Sequence, residues 1–135
     1  MKDFRLKDGE VLRTVKCIKD TATVIEAGDL VALSAGVIIK AVAGSANIAY
    51  APYGAPAGVT DIDVTIGTDF TLIGTGEQVF AVSQKGSEVD LIGTTTLLIN
   101  NDASSTDVFK VGISKDAGTV DAEEEIEVRI NKPLF

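Results

Sequence analysis

Glu125-Ile126-Glu127-Val128-Arg129-Ile130 alternates charged and apolar side chains without a break. Successive side chains of an extended strand point to opposite faces, so Ile126, Val128 and Ile130 share one face and the three charges the other. The stretch predicts a strand half-buried against a core. The same alternation appears in Ile62-Asp63-Val64-Thr65-Ile66 and in Val108-Phe109-Lys110-Val111-Gly112-Ile113. Further short runs rich in apolar and β-branched residues lie at 11–18, 22–25, 30–33, 37–42, 48–51, 70–73, 79–83, 89–92 and 97–99. Turn formers separate them: Ala27-Gly28-Asp29, Ala35-Gly36, Gly67-Thr68-Asp69, Gly74-Thr75-Gly76-Glu77, Lys85-Gly86-Ser87 and Asn100-Asn101-Asp102. With 15 Val, 13 Ile and 13 Thr in 135 residues, the composition is that of strands. An all-β fold follows, a small antiparallel sandwich or barrel with little helix. The one stretch of helical composition, Asp121-Ala122-Glu123-Glu124-Glu125, is too short to stand alone and reads as a single turn or an acidic loop.

A chain of 135 residues, 45% of them hydrophobic and 24% charged, suits one domain with a real core. Residues 1–20 read as an N-terminal arm and first strand, and 21–135 as a single β-domain. The longest uncharged stretch, 41–60, is broken by Pro52, Pro56 and three glycines, which excludes a membrane helix. The opening MKDFRLKDGEVLR carries charges where a signal peptide needs an apolar centre, so no secretion signal is expected.

Absences narrow the chemistry. Without histidine the chain lacks the commonest general base and zinc ligand, and no Ser-His or Cys-His nucleophile can form. Cys17 is single, so it closes no intrachain disulfide, and its neighbours Val15 and Ile18 suit a packed small apolar residue. No phosphate-binding glycine motif is present, and Gly74-Thr75-Gly76 reads as a hairpin turn. Asp61, Asp63, Asp69, Glu88, Asp90, Asp102 and Asp107 fit no calcium-loop frame and read as solvated strand faces. No catalytic residue, cofactor or metal is expected, and the chain reads as a non-enzyme.

Charge is uneven along the chain. Residues 1–20 hold six basic groups against four acidic ones, whereas 21–135 hold six against sixteen, leaving a +2 segment on a −10 body. Such a body repels the phosphates of nucleic acids and anionic lipid surfaces, so neither is an expected partner. The first ten residues set Phe4 and Leu6 among charges without a strand pattern, which reads either as a docking arm (Lys2, Phe4, Arg5, Leu6, Lys7) or as a frayed terminus. The stretch Tyr50-Ala51-Pro52-Tyr53-Gly54-Ala55-Pro56-Ala57-Gly58 holds both tyrosines and two of the three prolines. It reads either as a subunit interface built on Tyr50, Pro52, Tyr53 and Pro56 or as a rigid loop covering the end of a sheet.

Ile25-Glu26-Ala27-Gly28-Asp29-Leu30-Val31-Ala32-Leu33, then Gly36-Val37-Ile38 and a run of alanines, resembles the opening of small bacteriophage capsid decoration (cementing, head-stabilisation) proteins. Lys85-Gly86-Ser87-Glu88-Val89-Asp90-Leu91, Thr106-Asp107-Val108-Phe109-Lys110-Val111, Asp116-Ala117-Gly118-Thr119-Val120 and the ending Arg129-Ile130-Asn131-Lys132-Pro133-Leu134-Phe135 strengthen the likeness, which runs from about Thr21 onward. The resemblance implies a β-tulip-like domain with an extended N-terminal arm. It also implies a homotrimer on the outer surface of the virion, made in the host cytoplasm, that bridges neighbouring copies of the major capsid protein. A phage tail or head-fibre β-domain for assembly or carbohydrate recognition is the alternative; a free-standing carbohydrate binder fits poorly with zero Trp and two Tyr.

Overall fold

The computed structural model of the chain describes residues 3–101, 106–112 and 124–135. Among these, the strands are β1 (Arg5–Leu6), β2 (Thr14–Ile18), β3 (Leu30–Ser34), β4 (Val37–Lys40), β5 (Ala49–Tyr50), β6 (Asp61–Thr65), β7 (Leu72–Thr75), β8 (Glu88–Val89), β9 (Leu91–Ile92), β10 (Leu98–Ile99), β11 (Phe109–Val111) and β12 (Glu125–Ile130). Helix is confined there to one 3₁₀ turn, Val82–Gln84. The strands pair antiparallel into a five-stranded sheet of order β1-β7-β12-β11-β8, a three-stranded sheet β4-β3-β5, and the ribbons β2-β6 and β10-β9. The fold is all-β, and its sheets stack in a sandwich-like arrangement without closing into a barrel.

The layering follows from β3. Its Leu30, Val31 and Ala32 are all buried, the pattern of a strand covered on both faces. Leu30 and Ala32 enter a large core with Leu72, Val89, Phe109, Val111, Ile126, Val128 and Ile130 from the inner face of the five-stranded sheet. Val31 points the other way, into a smaller core with Ile38 and Ala49, closed by Ile62 and Val64 of β6. The β3–β4 hairpin turns at Ala35 and Gly36, both with positive φ (51° and 83°), as a two-residue turn matched to strand twist requires.

β12 is the strand its alternation predicts. Ile126, Val128 and Ile130 are buried, and β7 and β11 flank it in the registers Val128↔Leu72 and Val128↔Val111. Elsewhere the structure corrects the sequence reading. Residues 22–25 form no strand beyond a bridge from Ile25 to Ala55. At 79–83 Phe80 is buried and the chain turns into the 3₁₀ segment, where the Gln84 side chain accepts the Ala81 N–H at 2.8 Å. Gly74 and Thr75 are strand, not hairpin turn. The acidic stretch 121–125 enters β12 at Glu125, while its residues 121–123, with Lys2 and Asp102, lie outside the described residues.

The largest departure is at the N-terminus, where the expected arm is part of the body. Phe4 is 1% exposed and stacks on Phe109 with ring centroids 5.4 Å apart, and Arg5 and Leu6 form the edge strand against β7. Gly74 makes room for that ring: a Cβ there would press on Phe4 Cε2 and fall 2.7 Å from Cδ2. The ring is held by Phe109 and cannot swing away cheaply.

Two predictions follow from this packing. Val128→Asp should cost about 3 kcal/mol or more, because it buries an unpaired charge, while Glu127→Gln on the opposite face should cost no more than about 1 kcal/mol. Urea unfolding of the two proteins checks this, and equal midpoints would show the register to be wrong. Gly74→Ala should cost about 1–3 kcal/mol and Phe4→Ala about 3–5, but the double variant should fall short of their sum by more than about 1 kcal/mol, since the methyl's closest clashes are with the ring. Additive costs would contradict the Phe4–Gly74 contact.

Candidate functional site

Of the residues assigned to a docking arm, the described ones, Phe4, Arg5, Leu6 and Lys7, are committed within the fold. Phe4 lies in the core and Leu6 packs against its edge. Arg5 donates from Nη2 to both carboxylate oxygens of Glu125, at 2.9 and 3.0 Å, and Lys7 Nζ reaches Glu127 Oε1 at 3.1 Å. The basic charge of this segment is thus set against the glutamates on the outer face of β12. Both pairs are partly exposed, and each contributes no more than about 1 kcal/mol. The signal was present in Phe4-Arg5-Leu6-Lys7, which alternates apolar and charged residues, but four residues are too few to distinguish a strand from chance.

The stretch 50–58 divides into anchors and a display. Tyr50 is 4% exposed, and burial raises its phenol pKa, partly offset by a hydrogen bond with the Leu6 backbone. It is a core residue and presents no side chain to a partner. Ala51 and Ala55 are buried too, and Pro52 is half-buried. Backbone bonds lay the segment along residues 21–29: the Ala51 N–H donates to Asp29 O at 2.9 Å, Gly28 to Ala51 O at 2.9 Å, Ile25 and Ala55 exchange bonds of 3.0 and 2.8 Å, and Gly58 donates to Thr21 O at 2.8 Å. Gly54 sits so close to this partner segment that a Cβ would come within 3.2 Å of Ile25 O. Against this pinned backbone Tyr53 stands 63% exposed, with Pro56 also exposed, and Val24 and Val59 exposed on the neighbouring segments. The result is a stiff aromatic and aliphatic surface whose backbone loses little entropy on docking.

A hollow of about 510 Å³ lies between the β3–β4 hairpin and residues 45–47, with Leu33, Ser34, Ile39, Asn47 and Leu134 in its walls.

Several buried polar residues escaped the sequence reading because their roles are structural and their partners distant. The Asp90 carboxylate, expected on a solvated face, is buried and accepts the N–H groups of Thr106 and Asp107 at 3.0 and 2.8 Å. Asp107, with φ 53°, is half-buried beside it. The Asp29 carboxylate accepts Glu26 N–H at 2.9 Å and holds the turn before β3, where Gly28 takes φ 96°. Lys19 is 1% exposed; its ammonium donates to Asp20 O at 2.7 Å and to Thr23 O, stitching the 20–23 turn. Asp61 and Asp63 do face outward on β6, and Lys16 pairs with Asp63 at 3.4 Å.

Cys17 is half-buried against the smaller core, and burial, with Asp63 nearby, raises its thiol pKa above the usual value. That shift disfavours the nucleophilic thiolate. Among the described residues no group of three or more Cys, Asp or Glu side chains could hold a metal ion, and no helix is long and apolar enough to cross a membrane. No protein-family model, curated protein or solved structure matches the chain.

Proposed function

We propose that this chain is a non-enzymatic virion structural protein that binds the outside of a bacteriophage capsid and bridges neighbouring capsid subunits as a homotrimer. The sequence resemblance over 21–135 motivates this reading, and the observation that carries it is Tyr53. A largely exposed tyrosine on a backbone hydrogen-bonded at both ends is a feature of protein–protein contact surfaces, where aromatic anchors supply most of the binding energy. The interface belongs to the body, because Phe4, Arg5, Leu6 and Lys7 are engaged within the sheet. Its energy comes from buried area, with no bond made or broken.

Shells assembled from the major capsid protein encoded in the same genome provide the test. Purified protein should cosediment with them at a fixed stoichiometry, and Tyr53→Ala should weaken binding by about 2 kcal/mol, roughly thirtyfold, while leaving the melting temperature unchanged. Failure of the wild-type chain to cosediment would overturn the proposal, and full binding by the Tyr53 variant would remove this surface from it.

A further inference from the structure

The outer face of the five-stranded sheet carries a basic patch beside its glutamates, on a protein that is acidic as a whole. Lys110 on β11 and Arg129 on β12 are direct cross-strand partners, and both are exposed. They form the common wall of two adjoining hollows, of about 480 and 220 Å³, and Lys7 and Lys85 also line the larger one. Its carboxylates are Glu10 and Glu127, and Glu127 is engaged by Lys7. Four cations against two carboxylates leave the larger hollow positive, while the whole chain is −8.

Arg5, Lys7, Lys16 and Lys40 each have a carboxylate within 4.0 Å, but Lys85, Lys110 and Arg129 make no ion pair among the described residues. Glu88 stands opposite Lys110 on its other side, on β8, without pairing to it. Like charges directly opposite one another in a sheet are destabilising, so Lys110 and Arg129 repel in the free protein. A bound carboxylate between them would relieve that repulsion, with the guanidinium offering a forked pair of donors.

We propose that this face binds a short acidic segment of a partner polypeptide, with Lys110 and Arg129 as the central carboxylate contacts and Lys85 as a flanking one. The two hollows on either side of the Lys110–Arg129 pair give the site the elongated shape of an extended chain. Charge selects a short segment over a polyanion. Nucleic acid or an anionic membrane would bring many phosphates within reach of the acidic remainder of the surface, whereas two or three carboxylates fit inside the positive hollow. The inference is independent of the capsid proposal, since it rests on a different face and different residues.

Amide chemical-shift mapping by NMR at low salt, with N-acetyl-tetraglutamate amide as the probe, tests it. The largest shifts should fall on Lys85, Gly86, Lys110 and Arg129. The double variant Lys110→Gln/Arg129→Gln should bind about tenfold more weakly or worse, with Lys132→Gln unchanged, and raised salt should weaken the wild type. Both substitutions are on an exposed face, and because they remove a like-charge pair the double variant should melt no lower than the wild type. The proposal is overturned by absence of binding, by shifts centred on Lys16, Lys40 or Lys132, or by equal affinity of the double variant. Tighter binding of inorganic phosphate or oligothymidylate at the same residues would also overturn it, by making phosphate the ligand.

Discussion

Ile126, Val128 and Ile130 are sealed from solvent because β7 pairs along residues 125–128 of β12 and β11 along 128–130, with Leu30 and Ala32 of β3 in the same core. β12 joins the elements of the larger core. Through β7 it reaches β1 and brings Phe4 under the sheet; through β11 it reaches β8 and the covered Val89. A one-residue slip of β12 would send three core side chains into water and pull Glu125, Glu127 and Arg129 inward, so the alternation fixes register as well as strand identity. It also fixes the outer face, placing two glutamates within reach of Arg5 and Lys7 and setting Arg129 beside Lys110.

Strands with a strong alternation or a continuous apolar run were legible in the sequence: β12, β6, β3 and the Ala35-Gly36 turn of the β3–β4 hairpin stand where the pattern puts them. What was not legible depended on contacts distant in sequence. Gly74 looks like a turn residue until Phe4, seventy positions earlier, is seen to fill the space a side chain would occupy. Asp90 looks like a surface carboxylate until the N–H groups of Thr106 and Asp107 are brought to it. Phe4 and Leu6 looked like an arm because β1 is two residues long, too short for periodicity to register.

The candidate site shows the same division. Residues 50–58 were marked by composition, with tyrosines and prolines in a stretch free of charge, but composition could not say which tyrosine is displayed. The structure buries Tyr50 against the Leu6 backbone and exposes Tyr53. Nor could composition show that three of the six basic residues in an acidic body gather on one sheet face, because Lys85, Lys110 and Arg129 are brought together only by the pairing of β11 with β12 and the turn after Gln84.

Phe4 and β1 belong to one cooperative β-domain built around β12. Urea unfolding of the chain lacking residues 1–7 tests this most directly. Loss of Phe4 from the core and of β1 from the sheet edge should lower stability by about 3 kcal/mol or more, or abolish the cooperative transition altogether. A truncated protein that unfolds at the same midpoint and with the same slope as the full chain would contradict it and restore residues 1–7 to the status of a separate arm.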